Sequence, residues 1–215
     1  VYGHADTVPV TVDELIPLAR AVMRSTRRAL VVGDLPFGSY QVGPEQALET
    51  AIRFMKEAGV QAIKLEGGIP VAPAVRRIVD AGIPVMGHVG FTPQSVNALG
   101  GYRVQGRGDD GPRVLDAAKA LERAGAFAVV LEMVTSEVAR QVTSALSIPT
   151  IGIGAGPDCD AQVLVWQDMA GLHTGRLPKF VKTYGNLRGT LLEATKAFAS
   201  DVVSGSFPDD EHSYR

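Results

Sequence analysis

The residues best suited to chemistry are charged side chains near the ends of apolar segments. Asp34 follows the apolar segment 29–33, and Lys64 and Glu66 lie within the segment 61–67. Side chains alternate along a strand, so Lys64 and Glu66 share one face. A buried charge is costly unless it is paired or bound to something. These two residues are therefore either an ion pair that only closes the end of the sheet or part of a functional site.

Two further apolar segments also end in ionisable residues, His88 and Glu132. If all these segments are parallel strands, the carboxylates of Asp34, Glu66 and Glu132 lie at one edge and repel one another unless a cation is present. Oxygen ligands without cysteine or clustered histidine favour magnesium or manganese over zinc. The carboxylates thus predict a divalent-cation site.

Other interpretations of single residues remain open. Lys64 could hold an anionic substrate or stabilise negative charge that develops during a reaction. Asp34 could instead cap the turn before Pro36, and His88 could be a hydrogen-bonded histidine beneath a loop. The glycines of 152–156 lack the spacing of a dinucleotide-binding loop and the lysine of a P-loop. They indicate only a close backbone approach at the edge of the sheet.

The elements that must position these residues alternate between strands and helices. Each strand is a continuous apolar run, which is typical of a parallel sheet covered by helices. Chemistry drawn from the ends of several strands favours a (βα)8 TIM barrel over an open doubly wound sheet. Only about six strands are recognisable, although such a barrel closes with eight. The predicted strands are 29–33, 61–67, 83–88, 127–132 and 149–154, with 171–178 a strand or a loop; the predicted helices are 11–24, 44–59, 72–80, 113–123, 136–146, 160–168 and 179–203, the last with possible breaks at Gly185 and Gly189.

Length, charge and cysteine content narrow the class of protein. The 215 residues predict one domain, 1–215, large enough for a sizeable core. A net charge of −2 does not suggest a nucleic-acid surface. The single cysteine, Cys159, fits a reducing compartment and hence a cytoplasmic protein. No apolar run is long enough to cross a membrane, so no membrane partner is expected.

Several short segments together resemble one enzyme family along nearly the whole chain. They are DLPF at 34–37, KLEGG at 64–68, GHVGFTPQS at 87–95, GYRVQGRG at 101–108, IGIGAG at 151–156, FP at 207–208 and EHS at 211–213. This set resembles ketopantoate hydroxymethyltransferase. The resemblance implies a (βα)8 barrel, a magnesium ion and a homodecamer. It also implies transfer of a hydroxymethyl group from 5,10-methylenetetrahydrofolate to the keto acid 3-methyl-2-oxobutanoate, giving 2-dehydropantoate in pantothenate biosynthesis.

The resemblance also implies roles for particular residues. Asp34 and Glu66 match metal-site positions of the family, and Asp34 and Lys64 match substrate contacts. Glu132 matches the proton acceptor, and His88 matches a residue near the substrate. A magnesium-dependent carbon–carbon lyase or mutase of the phosphoenolpyruvate mutase type is an alternative, because it uses a similar barrel and oxoacid site.

The sequence departs from the family pattern at its start. Family members begin with a further strand, helix and strand that end in a Gly-Asp-Ser motif, whose aspartate is a metal ligand. The segment 1–4 matches the sequence just after that motif. The resemblance therefore predicts a barrel that is incomplete at its N-terminus. It leaves an inactive or nearly inactive fragment as another alternative.

Overall fold

The computed structural model describes residues 2–215, and the chain falls into two compact units. The first unit extends to Val163 and the second is Leu164–Arg215. The five candidate site residues all lie in the first unit, so its sheet and helices are what position them.

The first unit is built on a curled six-stranded sheet in which every strand is parallel to its neighbours. The strand order is the order along the chain, so each strand lies beside the strand that precedes it in sequence. In a doubly wound sheet the order in which strands are added reverses at a switch point, and the order found here contains no such reversal. The doubly wound alternative is therefore wrong. The strands are β1 Val32–Asp34, β2 Ala62–Glu66, β3 Val85–Gly90, β4 Ala128–Glu132, β5 Thr150–Ile153 and β6 Ala161–Gln162.

Helices connect the first five strands and begin and end largely where the sequence predicts. The spacing of Thr11 and Glu14 predicts a capping box at the start of the first helix, and the structure has it: Glu14 N–H donates to Thr11 Oγ1 while the Glu14 carboxylate accepts from Thr11 N–H. The second helix ends in a π-helical turn, Phe54–Ala58, that is closed by Gly59 at φ +79°. The helices are α1 Val12–Ser25, α2 Pro44–Arg53, α3 Ala72–Asp80, α4 Gly111–Arg123 and α5 Ser136–Ala145.

One face of the sheet packs against these helices and forms the core. Ile63 and Leu65 of β2 and Leu131 of β4 are fully buried there. Burying such a side chain contributes about 1.5–3 kcal/mol. Residues at odd positions along β2 thus face the helices, and the side chains between them face the other side of the sheet. The helical spacing of apolar residues in α1 predicts that Val22 faces the core, but it is half exposed.

The predicted helix over 160–168 is wrong for residues 160–165, and a helix begins only at Trp166. Thr150 N–H donates to Asp160 Oδ2 at 2.8 Å, which holds Asp160 against the edge of the sheet. The next two residues pair with β5 as β6, and Val163 N–H continues the pairing by donating to Gly152 O at 3.0 Å. Hydrogen bonding to an open strand edge satisfies more backbone groups than an isolated short helix would.

The second unit contains two helices, α6 Trp166–Met169 and α7 Leu187–Ser204. The segment 171–178 forms no strand in this described region. The last helix begins after Gly185 and not at residue 179, because the Asn186 side chain accepts from Gly189 N–H at 3.1 Å and caps its N-terminus. Within residues 2–215, no helix combines the length and apolarity that a membrane crossing requires.

Candidate active site

The five ionisable residues singled out in the sequence lie on one face of the sheet, opposite the helices. Parallel pairing places partners side by side, and side chains two residues apart point the same way. The register pairs Glu66 with His88 and places Glu132 beside Gly90. The structure thus brings together, at the carboxyl edges of four neighbouring strands, Asp34, Lys64, Glu66, His88 and Glu132.

Lys64 forms its ion pair with Asp34 and not with Glu66. Its Nζ lies 2.7 Å from Asp34 Oδ1, across the register of β1 and β2. The Lys64 side chain is 19% exposed and that of Asp34 is 48% exposed. The pair is therefore open to solvent on the Asp34 side, and an incoming anion could reach the ammonium group. The expected ion pair of Lys64 with Glu66 is therefore wrong, because Lys64 pairs with Asp34 instead.

Glu66 is a buried carboxylate with few stabilising contacts. The residue is 6% exposed, and Oε2 accepts a hydrogen bond from Gln94 N–H at 2.9 Å. Burial raises the pKa of Glu66 to about 7, and the negative charges of Asp34 and Glu132 add to that effect. The Gln94 hydrogen bond and Lys64 act in the opposite direction but are outweighed.

His88 lies between the two glutamates. Its Nε2 is 3.2 Å from Glu132 Oε2, and its Nδ1 is 3.9 Å from Glu66 Oε1. Neither ring nitrogen has a hydrogen-bond partner among residues 2–215, because these contacts are too long or poorly aligned. Burial lowers the pKa of His88 to about 3, and the nearby Lys64 lowers it further. The imidazole is therefore neutral, and the interpretation as an ordinary hydrogen-bonded histidine is wrong.

Glu132 has the environment of a general base. Burial raises its pKa to about 7, which Lys64 partly offsets. The neighbouring strand must approach closely here, since a Cβ on Gly90 would lie 2.3 Å from Glu132 O. Gly90 has φ +94°, and Met133, the residue after Glu132, has φ +47°. Among the described residues, Met133 is the one non-glycine with a left-handed backbone, and such strain tends to occur at functional sites.

The raised pKa of Glu132 predicts a pH-dependent stability. In an unfolded chain the carboxyl has the ordinary pKa of 4.5, whereas in the folded protein it is about 7. The folded state therefore binds more protons between these values, and this residue's contribution to stability is lost as pH rises. Glu132→Gln should accordingly gain stability relative to the unmodified protein from about pH 4.5 to pH 7, with no further gain above that range.

Urea unfolding of both proteins at several pH values, without divalent cations, measures this difference. His88 adds an opposite slope between pH 3 and 6.5 in both proteins. Because its Nε2 lies 3.2 Å from Glu132, the difference between the two proteins below pH 6.5 reports the coupled pair, and the range from pH 6.5 to 7 reports Glu132 itself. A difference that does not change with pH would contradict the raised pKa of Glu132. Glu137→Gln, in an exposed position of α5, provides the matched control.

The donor set fits a magnesium ion held loosely by protein. Among residues 2–215 there is no cluster of three or more His, Cys, Asp and Glu residues that could enclose a metal. Magnesium, however, usually keeps several waters and is bound by one or two carboxylates together with substrate oxygens. The raised pKa of Glu66, with Asp34 close enough to contribute to it, indicates negative charge that lacks compensation. A cation at this edge of the sheet would supply that compensation.

Sequence reasoning missed two residues that complete this site, Gln94 and Tyr40. Gln94 holds the Glu66 carboxylate from the loop after β3, and the Tyr40 hydroxyl hydrogen-bonds the Gln94 side chain. Neither residue type by itself suggests such a role. The available signal is that Gln94 lies inside the glycine-rich segment 90–111, whose length is unusual for a simple connection in a compact domain and therefore predicts a functional loop.

The fold and the site together define a class of protein. A curled parallel sheet with ionisable residues from several strand ends at its carboxyl edge is the arrangement of barrel-type enzymes. The sequence model of the ketopantoate hydroxymethyltransferase family matches residues 1–210. This chain belongs to that family.

Individual relatives agree with this assignment. The chain is 64% identical over 214 residues to a protein of Nocardioides sp. named 3-methyl-2-oxobutanoate hydroxymethyltransferase, covering all of this chain and 72% of the relative. It is 65% identical to a protein of Acidothermus cellulolyticus with the same name, covering 79% of that relative. A solved structure of a putative phosphonomutase from Burkholderia cenocepacia aligns with a TM-score of 0.52, 17% identity, and coverage of 91% of this chain and 79% of the other. That likeness concerns the fold alone.

Proposed function

We propose that this protein transfers a hydroxymethyl group from 5,10-methylenetetrahydrofolate to 3-methyl-2-oxobutanoate, giving 2-dehydropantoate for pantothenate biosynthesis. Family membership and the names of its relatives support the reaction. The observation that carries the proposal is the pair of glutamates, buried Glu66 and partly buried Glu132, on either side of neutral His88 at the carboxyl edge of the sheet. One carboxylate can serve a cation and the other can accept a proton.

Each residue has a distinct task in the proposed reaction. Glu132 removes the proton from C3 of the keto acid, since a pKa near 7 lets it exist as a base and still hold the proton. Lys64, 2.7 Å from Asp34, neutralises negative charge on the substrate. His88 contributes a neutral ring nitrogen 3.2 Å from Glu132 that has no hydrogen-bond partner among residues 2–215, so it can form a hydrogen bond with the substrate. Water hydrolyses the two C–N bonds that hold the methylene carbon, which releases tetrahydrofolate and a one-carbon unit at the formaldehyde level. The carbanion at C3 adds to that carbon, and its oxygen, which comes from the water, takes up a proton to give the hydroxymethyl group.

Magnesium is the proposed metal, with Asp34 and Glu66 as its protein ligands. When bound, it would polarise the keto oxygen and make the C3 proton more acidic. Half-exposed Asp34 and buried Glu66, which lie on the adjacent strands β1 and β2, are the residues that would hold the ion. A cavity of about 460 Å³ also opens beside the ends of β2 and β3, but it is lined toward α4 by residues such as Gly67, Gly90 and Ala117, and none of the five site residues lines it.

The test is an assay for 2-dehydropantoate with the keto acid, magnesium and the folate. Product that forms only when the folate is present supports the proposal. Conversion of the keto acid that does not depend on folate would favour a lyase or mutase of the phosphoenolpyruvate mutase type. The family match does not favour that alternative, and the neighbouring solved structures bear on the fold and not on the reaction.

We also propose that the protein is a homo-oligomer, a decamer by its family resemblance. Helix α7 leaves large apolar side chains uncovered, among them Leu191 at 65%, Phe198 at 57% and Val203 at 89% exposed. Exposed apolar surface of this kind marks contact sites between proteins. Light scattering at micromolar concentration should therefore give a mass of several chains, and Leu191→Glu with Val203→Glu should lower it. A monomer under these conditions would contradict the proposal.

A cytoplasmic location is part of the proposal and follows from cysteine chemistry. Cys159 is the single cysteine of the sequence and is half buried. Burial raises the pKa of its thiol, so it stays protonated and little reactive at neutral pH. This is consistent with a reducing compartment, and cell fractionation would test it.

A further inference from the structure

Gln94 forms a buried bridge between three parts of the site. The residue is 8% exposed and lies in a short 3-10 turn, Pro93–Ser95, after β3. Its backbone N–H donates to Glu66 Oε2 at 2.9 Å, and its Nε2 donates to Leu35 O at 2.8 Å. Leu35 directly follows Asp34. One glutamine therefore links the strand ends that carry both proposed metal ligands.

Tyr40 completes the bridge from the loop after β1. It is 3% exposed, and its hydroxyl donates to Gln94 Oε1 at 2.7 Å. The Tyr40 hydroxyl oxygen also accepts a hydrogen bond from Glu66 N–H at 3.3 Å. The Gln94 carboxamide therefore has a partner for its NH2 group and for its oxygen, and the Tyr40 hydroxyl both donates and accepts a hydrogen bond. A buried network that is satisfied in this way is rigid, because any rotation leaves a buried polar group without a partner.

We propose that Gln94, supported by Tyr40, is a positioning residue that sets the location of the Glu66 carboxylate relative to Asp34. The inference rests on the proposed function for its link to turnover, but the placement of Glu66 can be tested without it. Glu66 receives its hydrogen bond from the Gln94 backbone, and the Gln94 side chain holds that backbone in place. Loss of the carboxamide therefore displaces Glu66 although the residue itself is unchanged.

The size of the effect follows from the geometry. Residues that orient a metal ligand through a hydrogen bond typically contribute 10- to 100-fold to metal affinity or activity. A displacement of about 1 Å in a reacting group can cost about 100-fold in rate. Both the metal affinity and the rate should be affected, because Gln94 is hydrogen-bonded to Leu35, next to Asp34 at the end of β1, and to Glu66 at the end of β2.

The experiment uses Gln94→Met, which keeps the volume and removes both side-chain hydrogen bonds. We expect kcat to fall about 10- to 100-fold, with a much smaller change in KM for the folate. The dissociation constant of Mn²⁺, used alone as the metal probe, should rise by a similar factor. Tyr40→Phe removes one neutral hydroxyl and should lower kcat about 3- to 10-fold. The double variant should be less impaired than the product of the two single effects, because both act through one network.

Thr150→Val is the matched control, since Thr150 is fully buried and loses the hydrogen bonds of its hydroxyl to Thr143 and Asp160, but it lies at the amino end of β5, away from the carboxyl edge of the sheet. It should leave the metal affinity and kcat nearly unchanged. If Gln94→Met lowers only the thermal stability, with normal kcat per folded enzyme, Gln94 has a merely structural role and the inference is overturned.

A crystal structure of the Gln94→Met variant decides the point independently of activity. We expect the Glu66 carboxylate to shift by about 1 Å or more. An unmoved Glu66 overturns the inference, whatever the kinetics show. If the unmodified protein lacks hydroxymethyl transfer, the proposed function fails, but a displaced Glu66 in the variant would still support the positioning role.

Discussion

Replacing Glu132 with glutamine is expected to slow exchange of the C3 proton of 3-methyl-2-oxobutanoate by about 100- to 10,000-fold, the usual contribution of one positioned base. Glutamine has nearly the same shape as glutamate but cannot accept the proton. Binding of magnesium should remain nearly intact, because Asp34 and Glu66 are the proposed ligands. Exchange in deuterated buffer, followed by NMR without the folate, measures this step separately from transfer.

The pH profile gives a second view of the same residue. With a pKa of about 7, Glu132 should become an active base as pH rises through neutrality, so that exchange increases and then levels off. In Glu132→Gln that increase should disappear. Glu137→Gln, an exposed glutamate five residues away, should exchange at the unmodified rate. If Glu132→Gln exchanges the C3 proton as fast as the unmodified protein, Glu132 is not the base.

Replacing Glu66 with glutamine should raise the magnesium dissociation constant at least about 100-fold, because changing even a hydrogen-bonding partner of a ligand costs 10- to 100-fold. The amide keeps the acceptor for Gln94 N–H but loses the negative charge that attracts the cation. Titration calorimetry with magnesium alone measures the change. Turnover should fall with it and recover partly at high magnesium concentration.

Glu57→Gln is the control for this second prediction. Glu57 is exposed and paired with Arg53, away from the carboxyl edge of the sheet. Its replacement should leave magnesium affinity unchanged. Unaltered magnesium affinity in Glu66→Gln would show that Glu66 is not a ligand and that the cation, if present, is held elsewhere.

The sequence by itself determined the local elements and the chemistry they carry. The Thr11–Glu14 capping box and the helix Ala72–Asp80 follow from neighbouring residues alone, because hydrogen bonds and apolar spacing within one helix suffice. The common face of Lys64 and Glu66 follows from the period of a strand. The family assignment follows in the same way from the motifs and is confirmed by its relatives.

The tertiary structure decided which of these residues meet. Lys64 pairs with Asp34 because the register of β1 and β2 places them side by side, and no spacing along the chain reveals that register. Tyr40 and Gln94 are 54 residues apart, yet they join in one buried network. The sequence also left His88 open to an ordinary hydrogen-bonded role. Only the packing of neighbouring strands shows that both of its ring nitrogens are desolvated and have no partner within the described part of the chain, 2–215, because burial is a property of the assembled fold and not of any single segment.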